Sequence, residues 1–255
     1  MTKTPEQIAL EKQRTRLTKL FHEACANYGL IADGDHILIG LSGGKDSLLL
    51  TELLGKRAQI YKPSFRVTAL HVRVKERDYH SDISYLESFC AEAKVPLLVR
   101  DVEIGEESFS PKDGPKNPCF LCAWYRRKTL FNIAQELGCN KIAFGHHKDD
   151  IVHTMLMNLI FAGSFATMPP MLQLDKMPLQ IIRPLCLIPE EQIITYSGMR
   201  AYEKQTHLCP FEHVSAREKA KDLLKHIQTL NPEALSTLYN AMSNIKPEYL
   251  PQIPN

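Results

Sequence analysis

Short apolar segments and stretches with helical spacing take turns along this chain. Ile8, Leu17, Leu20, Phe21 and Ala24 fall near one face of a helix over residues 5–30, with Lys12, Arg14, Arg16 and Lys19 elsewhere on it. Gly29 and Gly34 end it, and Ile37, Leu38 and Ile39 follow as an apolar, β-favouring segment. Leu48, Leu49 and Leu50 then open a second helix. Val67, Ala69, Leu70 and Val72 mark a second strand over residues 66–74, followed by a helix over 82–94 and a third strand over 96–101. Residues 102–118, charged and rich in Pro, Gly and Ser, show no periodicity and read as a mobile loop over an active site. A helix over 122–137 stops at Gly138. A strand over 141–145, a helix over 149–161, an irregular Met- and Pro-rich crossing over 163–178, a strand over 179–184 and a short helix over 189–198 continue the alternation. Two polar-faced helices, 216–230 and 232–242, form a tail.

Strands and helices alternating at this spacing predict an α/β fold, a doubly wound, parallel, five-stranded sheet with a helical C-terminal tail. Ligands of such a sheet sit at the carboxyl ends of its strands. Composition changes little in this picture: 44% hydrophobic and 24% charged residues are ordinary for a soluble globular protein. No apolar run approaches a membrane span and the N-terminus has no apolar signal region, so a cytoplasmic protein with no membrane partner is expected. Seven cysteines, an odd number in a reducing compartment, argue for metal or catalytic use of some of them. A net charge of +2 neither demands nor excludes a nucleic-acid partner.

Three motifs carry candidate chemistry. The first strand runs into Ser42-Gly43-Gly44-Lys45-Asp46-Ser47 and then into a helix. Adjacent glycines let the backbone approach a ligand, and the helix N-terminus favours an anion, so this is a phosphate cradle. It is not a Walker A loop, which would need Gly at position 39 and Ser or Thr at 46, where Ile39 and Asp46 stand. An aspartate among phosphates calls for a bridging divalent cation, Mg²⁺. The second motif is Cys119-Phe-Leu-Cys122, at a helix entrance just before Arg126-Arg127-Lys128, a setting that favours thiolates. Cys209 is the best candidate for a third ligand. Cys25, Cys90, Cys139 and Cys186 stand in apolar or helical sequence and read as core residues. A redox dithiol, a structural zinc completed by His207 or His213, and an iron–sulfur cluster with one open iron all fit the spacing. The third motif is Gly145-His146-His147-Lys148-Asp149-Asp150, at the end of the fourth strand.

In this order, together with Met168-Pro-Pro170 and Ile182-Arg-Pro-Leu185, these motifs resemble the TtcA group. These are the tRNA 2-thiocytidine synthetases of the PP-loop ATP pyrophosphatases, whose sheet is of the adenine nucleotide alpha hydrolase-like type. The resemblance covers roughly residues 15–215. It implies an N-terminal helical segment (1–34), a PP-loop domain (35–200) and a C-terminal extension (201–255) carrying the third cluster cysteine and the tail helices. It implies that Ser42, Gly43, Gly44, Lys45, Asp46 and Ser47 hold the ATP phosphates, with Asp46 placing Mg²⁺. Leu70 and His71 would meet the adenine, with Gly145 and His146 at the same site. Cys119, Cys122 and Cys209 would hold a [4Fe–4S] cluster.

The implied reaction adenylates the C2 oxygen of a cytidine in the tRNA anticodon loop, cytidine 32, after which sulfur delivered from the cluster displaces AMP. Asp46, Arg126, Asp149 and Asp150 are the catalytic candidates. tRNA, a sulfur donor such as a cysteine desulfurase and a second copy of the chain are the implied partners. Two features depart from the pattern. Relatives carry a second C-x-x-C around the later cysteine, where this chain has Cys209-Pro-Phe-Glu212, and the C-terminal half lacks a basic tail. tRNA binding would then rest on Lys12, Arg14, Arg16 and Lys19, on Arg73, Lys75 and Arg77, and on Arg126, Arg127 and Lys128. Two other readings keep part of the site: PP-loop chemistry on another nucleoside or a small molecule, and a zinc-containing nucleotide-binding protein.

Overall fold

The strand His36–Gly40 (β1) shows how the sheet is built. Ile37 and Ile39 enter one buried cluster and Leu38 enters another, so both faces of the strand need cover. The computed structural model describes residues 3–74, 79–80, 82–103, 118–203, 206–207 and 216–251; at 79–80, 118–120, 206–207 and 216 it describes the backbone alone. The other strands are Arg66–Val74 (β2), Tyr79–His80 (β3), Leu97–Val102 (β4), Lys141–Ala143 (β5), Met171–Gln173 (β6), Gln180–Ile182 (β7) and Thr206–His207 (β8). The main sheet has the order β4-β2-β1-β5-β7-β6, and β3 pairs with β8 in a separate two-stranded ribbon. Each neighbouring pair in the main sheet is parallel except β6–β7.

The doubly wound parallel fold agrees with the alternation in the sequence, with one correction: the sheet has six strands rather than five. The sixth, β6, lies inside the stretch read as irregular. All three of its residues are exposed, so no buried alternation marks it, and it only extends the sheet's edge.

One face of the sheet is covered by Pro5–Asn27 (α1), Lys45–Ala58 (α2), Ile83–Glu92 (α3) and Glu190–Met199 (α6), which contribute Leu17, Phe21, Leu50, Leu86 and Ile193 to a shared core. Thr4 and Gln7 close a capping box at the start of α1. Ile8, placed by its spacing near the same face as Leu17, is 56% exposed; the buried residues of α1 begin at Leu17. The other face is covered by Pro118–Glu136 (α4), whose Leu130, Ile133 and Ala134 pack with Leu38, Leu70 and Ile142. A buried ion pair, Lys141 Nζ to Asp35 at 2.7 Å, pins the amino-terminal ends of β1 and β5; Lys141 also donates to Leu30 O and Asn140 to Asp35. The chain leaves β1 towards β2 and β4, then returns to β5 on the opposite side. That reversal makes the carboxyl ends of β1 and β5 the switch point of the sheet, where open α/β folds bind ligands.

The strands belong to one compact unit, residues 1–147 and 169–214. A second unit, residues 148–168 and 215–255, contains Lys148–Met157 (α5), Ala216–Leu230 (α7) and Ala234–Ala241 (α8) around its own core of Val152, Met155, Leu156, Ala220 and Leu224. After α5 the helix widens into a π turn, Asn158–Ala162, which Gly163 ends at φ 60°. No helix among the described residues is long and apolar enough to cross a membrane.

Candidate active site

The loop after β1 is braced from within. Gly43 takes φ 86°, a conformation that favours glycine, whereas Gly44 is extended at φ −75° as the N-cap of α2. The Ser47 hydroxyl accepts from Gly43 N at 3.1 Å and donates to Gly44 O at 2.9 Å; Ser42 Oγ accepts from Gly44 N at 3.3 Å. Both serines therefore shape the loop. Among the described residues no side chain caps α2, and the positive end of its dipole faces the loop, where it favours an anion.

Gly145 closes the loop from the β5 side. A Cβ built on it would lie 3.0 Å from the carbonyl carbon and oxygen of Asp46 and 3.1 Å from Ser47 N, so a side chain here would press on the loop backbone, which would have to give by a few tenths of an ångström. His147, 4% exposed, points Nε2 at Asp46 Oδ1 and Glu190 Oε1, each 4.0 Å away. Lys45 Nζ joins the same two carboxylates, at 3.2 Å from Asp46 and 2.9 Å from Glu190. Burial pushes the Lys45 ammonium down, but Asp46 and Glu190 outweigh it and the net shift is upward, so Lys45 is a cation at neutral pH. Lys45, Asp46, His147 and Glu190 thus form one partly buried charged cluster beside the cradle. Sequence reading missed Glu190. Its signal was weak, an acid directly after Pro189 in the first turn of a helix, which a helix dipole alone would favour.

Leu70 and His71 are buried at the neighbouring strand end. Leu70 O accepts from Leu41 N at 3.0 Å, and His71 Nδ1 lies 2.8 Å from Leu41 O, so this pair fixes where the loop leaves the sheet. Arg183, 6% exposed, donates from Nη1 to Pro169 O at 2.5 Å, and its backbone N–H donates to Pro170 O at 2.8 Å. The Pro-Pro and Arg-Pro-Leu motifs are therefore one structural feature. Asp149 and Asp150 lie in the first turn of α5 in the second unit, where Arg217 is ion-paired to Asp150 and Lys148 donates to Ser236 at 3.0 Å. Arg126 is half-buried on α4, four residues after Cys122.

The cysteines divide by environment. Cys90, Cys139 and Cys186 are buried. Burial pushes the Cys90 and Cys139 thiols up to about 11, and burial together with the neighbouring Cys186 pushes Cys25 up to about 12. These four behave as the core residues expected. Cys122 is half-exposed on α4. The backbone of Cys119 lies in the first turn of the same helix, and Cys209 lies outside the described residues, two positions after β8.

The PP-loop domain family matches residues 10–205 of this chain. A tRNA-cytidine(32) 2-sulfurtransferase from Marinomonas sp. strain MWYL1 is 32% identical over 252 residues, 98% of this chain and 89% of that protein. One from Methylococcus capsulatus is 33% identical over 248 residues, 96% of this chain and 84% of that protein. Among solved structures, the U34-tRNA thiolase NcsA from Methanococcus maripaludis, with its [4Fe-4S] cluster, superposes with a TM-score of 0.74 at 24% identity. That match covers 92% of this chain and 80% of the thiolase, and it shows a shared fold.

Proposed function

This chain belongs to the PP-loop family and, within it, to the tRNA-cytidine(32) 2-sulfurtransferases, and on that ground we propose that it is an ATP-dependent, cytoplasmic tRNA thiolase. It adenylates the C2 oxygen of cytidine 32 in the anticodon loop and exchanges that oxygen for sulfur. The observation that carries this reading is the cradle at Ser42–Ser47, closed by Gly145 and flanked by Lys45, Asp46, His147 and Glu190.

In the first step the C2 oxygen attacks the α-phosphorus of ATP and the bond to pyrophosphate breaks. The N-terminus of α2 receives phosphate oxygens, and Lys45 turns from Glu190 to the departing charge. Asp46 would hold Mg²⁺, which would neutralise phosphate charge when bound. Leu70, His71, Gly145 and His146 form the edge on which the nucleoside of ATP rests. In the second step sulfur at the sulfide level attacks C2, the C2–O bond breaks and AMP leaves. Asp149, Asp150 and Arg126 handle the proton and the charge that develop at this step.

Cys119, Cys122 and Cys209 are the residues that would hold a [4Fe–4S] cluster. The half-exposed thiol of Cys122 suits ligation, in contrast to the buried thiols of Cys90 and Cys139. Such a cluster would supply an iron able to take up sulfide, and a donor such as a cysteine desulfurase together with a two-electron reductant would replenish it. The test is nucleoside analysis of tRNA from a strain lacking the gene. 2-Thiocytidine should disappear and return when the gene is restored; an unchanged level overturns the reading.

A further inference from the structure

Trp124 is the chain's only tryptophan, and it is 43% exposed on α4, two residues after Cys122. The Lys128 ammonium sits over its ring, 5.1 Å from the centroid, and the Tyr125 ring meets it edge-on at 4.9 Å. Arg127 is exposed beside them, its Nε bonded to Ala123 O. The only acid in α4 is Glu136, at its last position, and neither Arg127 nor Lys128 pairs with a carboxylate among the described residues.

The other basic clusters are partly neutralised. Arg73 is bound through two nitrogens to Asp101, at 2.6 and 3.0 Å, and Arg14 pairs with Glu11 at 3.0 Å. Tyr61 and Lys62 make a similar ring–cation contact, but Asp33 holds Lys62 at 2.9 Å. Among the described residues, an exposed aromatic ring stands on α4 among cations with no carboxylate paired to them.

We propose that the outer flank of α4, formed by Trp124, Arg127 and Lys128, is a stacking platform for a base in a single-stranded stretch of RNA. The proposal rests on the reading that the substrate is tRNA. An exposed aromatic face accepts any base, and flanking cations meet the phosphates on either side. Successive helical residues are about 100° apart, so Trp124 and Lys128 share a flank that Cys122 and Arg126 do not. The platform therefore takes a nucleotide beside the target and leaves the target itself to the catalytic face.

Because Trp124 is the only tryptophan, its emission reports on the platform directly. The full-length protein is titrated with an unmodified tRNA transcript carrying cytidine 32, and binding is measured in parallel by filter retention. Emission should quench saturably with the same midpoint as retention. Trp124→Ala should bind roughly tenfold more weakly and Trp124→Phe nearly as well as the parent. Arg127→Gln with Lys128→Gln should lower the slope of log affinity against log salt by about one to two. A transcript that binds without quenching, with Trp124→Ala binding as tightly as the parent, overturns the platform while leaving the thiolase reading intact. Quenching by a cysteine desulfurase but not by the transcript also overturns it. Failure of the transcript to bind at all defeats both.

Discussion

Gly145 leaves little room for a side chain, because an added Cβ would press at 3.0–3.1 Å on the backbone of Asp46 and Ser47 rather than on movable side-chain ends. Gly145→Ala should destabilise the fold by about 1–3 kcal/mol and suppress AMP formation more than that loss explains. Urea unfolding and an ATP-to-AMP assay measured on one preparation separate the two effects. Asp46→Ala, at a side chain that is 29% exposed, should leave unfolding almost unchanged and abolish AMP formation; retained turnover would remove Asp46 from the chemistry. Glu190→Gln removes one of the two anions that hold Lys45, so the affinity for ATP should change more than the maximal rate. Asp46 was legible in the sequence because its neighbours are two glycines, two serines and a lysine. Glu190 was not, since 145 residues separate it from Lys45 and only the packing of α6 against α2 brings them together.

Two helices of the first unit are joined by one buried carboxylate. Glu52 on α2 is 4% exposed and accepts from Tyr196 on α6 at 2.7 Å and from Tyr202 just beyond it at 2.8 Å, with Lys56 and Arg200 also paired to it. Burial pushes the Glu52 carboxyl up, but the donors from Lys56, Tyr196 and Tyr202 outweigh it and the net shift is downward. A carboxylate with a lowered folded value adds stability above its ordinary range, and that stability is lost as pH falls through the lowered value. Glu52→Ala should cost about 3 kcal/mol at pH 7. The gap between parent and variant should narrow as the pH drops below the ordinary glutamate value, as measured by urea unfolding at several pH values. An equal gap at every pH would mean that packing rather than charge is at work. Helices of this kind were readable in the sequence, since their buried faces recur at helical spacing, and the tail helix at 216–230 has the expected bounds. The two-residue strands β3 and β8 were not, because two residues carry no period, and their pairing joins positions 79–80 to 206–207.

Across the whole chain, the seven cysteines form a natural control on the site. Four of them, Cys25, Cys90, Cys139 and Cys186, belong to the packed interior, and burial pushes the thiols of Cys25, Cys90 and Cys139 well above the usual range. A thiol reacts as its thiolate, so these positions should be slow towards iodoacetamide in the native protein and fast once it is denatured. Cys119, Cys122 and Cys209 should react in the native, iron-free protein and become protected after anaerobic reconstitution with iron and sulfide. Mass spectrometry of labelled peptides reads all seven positions at once, and it does so without reference to activity. Substituting Cys122 by serine should lower the iron content and expose Cys119 and Cys209 to label even after reconstitution. Cys139→Ser should keep the iron and cost only packing stability. If reconstitution protects no position, or protects Cys139 as strongly as Cys122, the assignment of cluster ligands fails. The loop at Ser42–Ser47 would then still activate an oxygen with ATP, but the sulfur would have to arrive by another route.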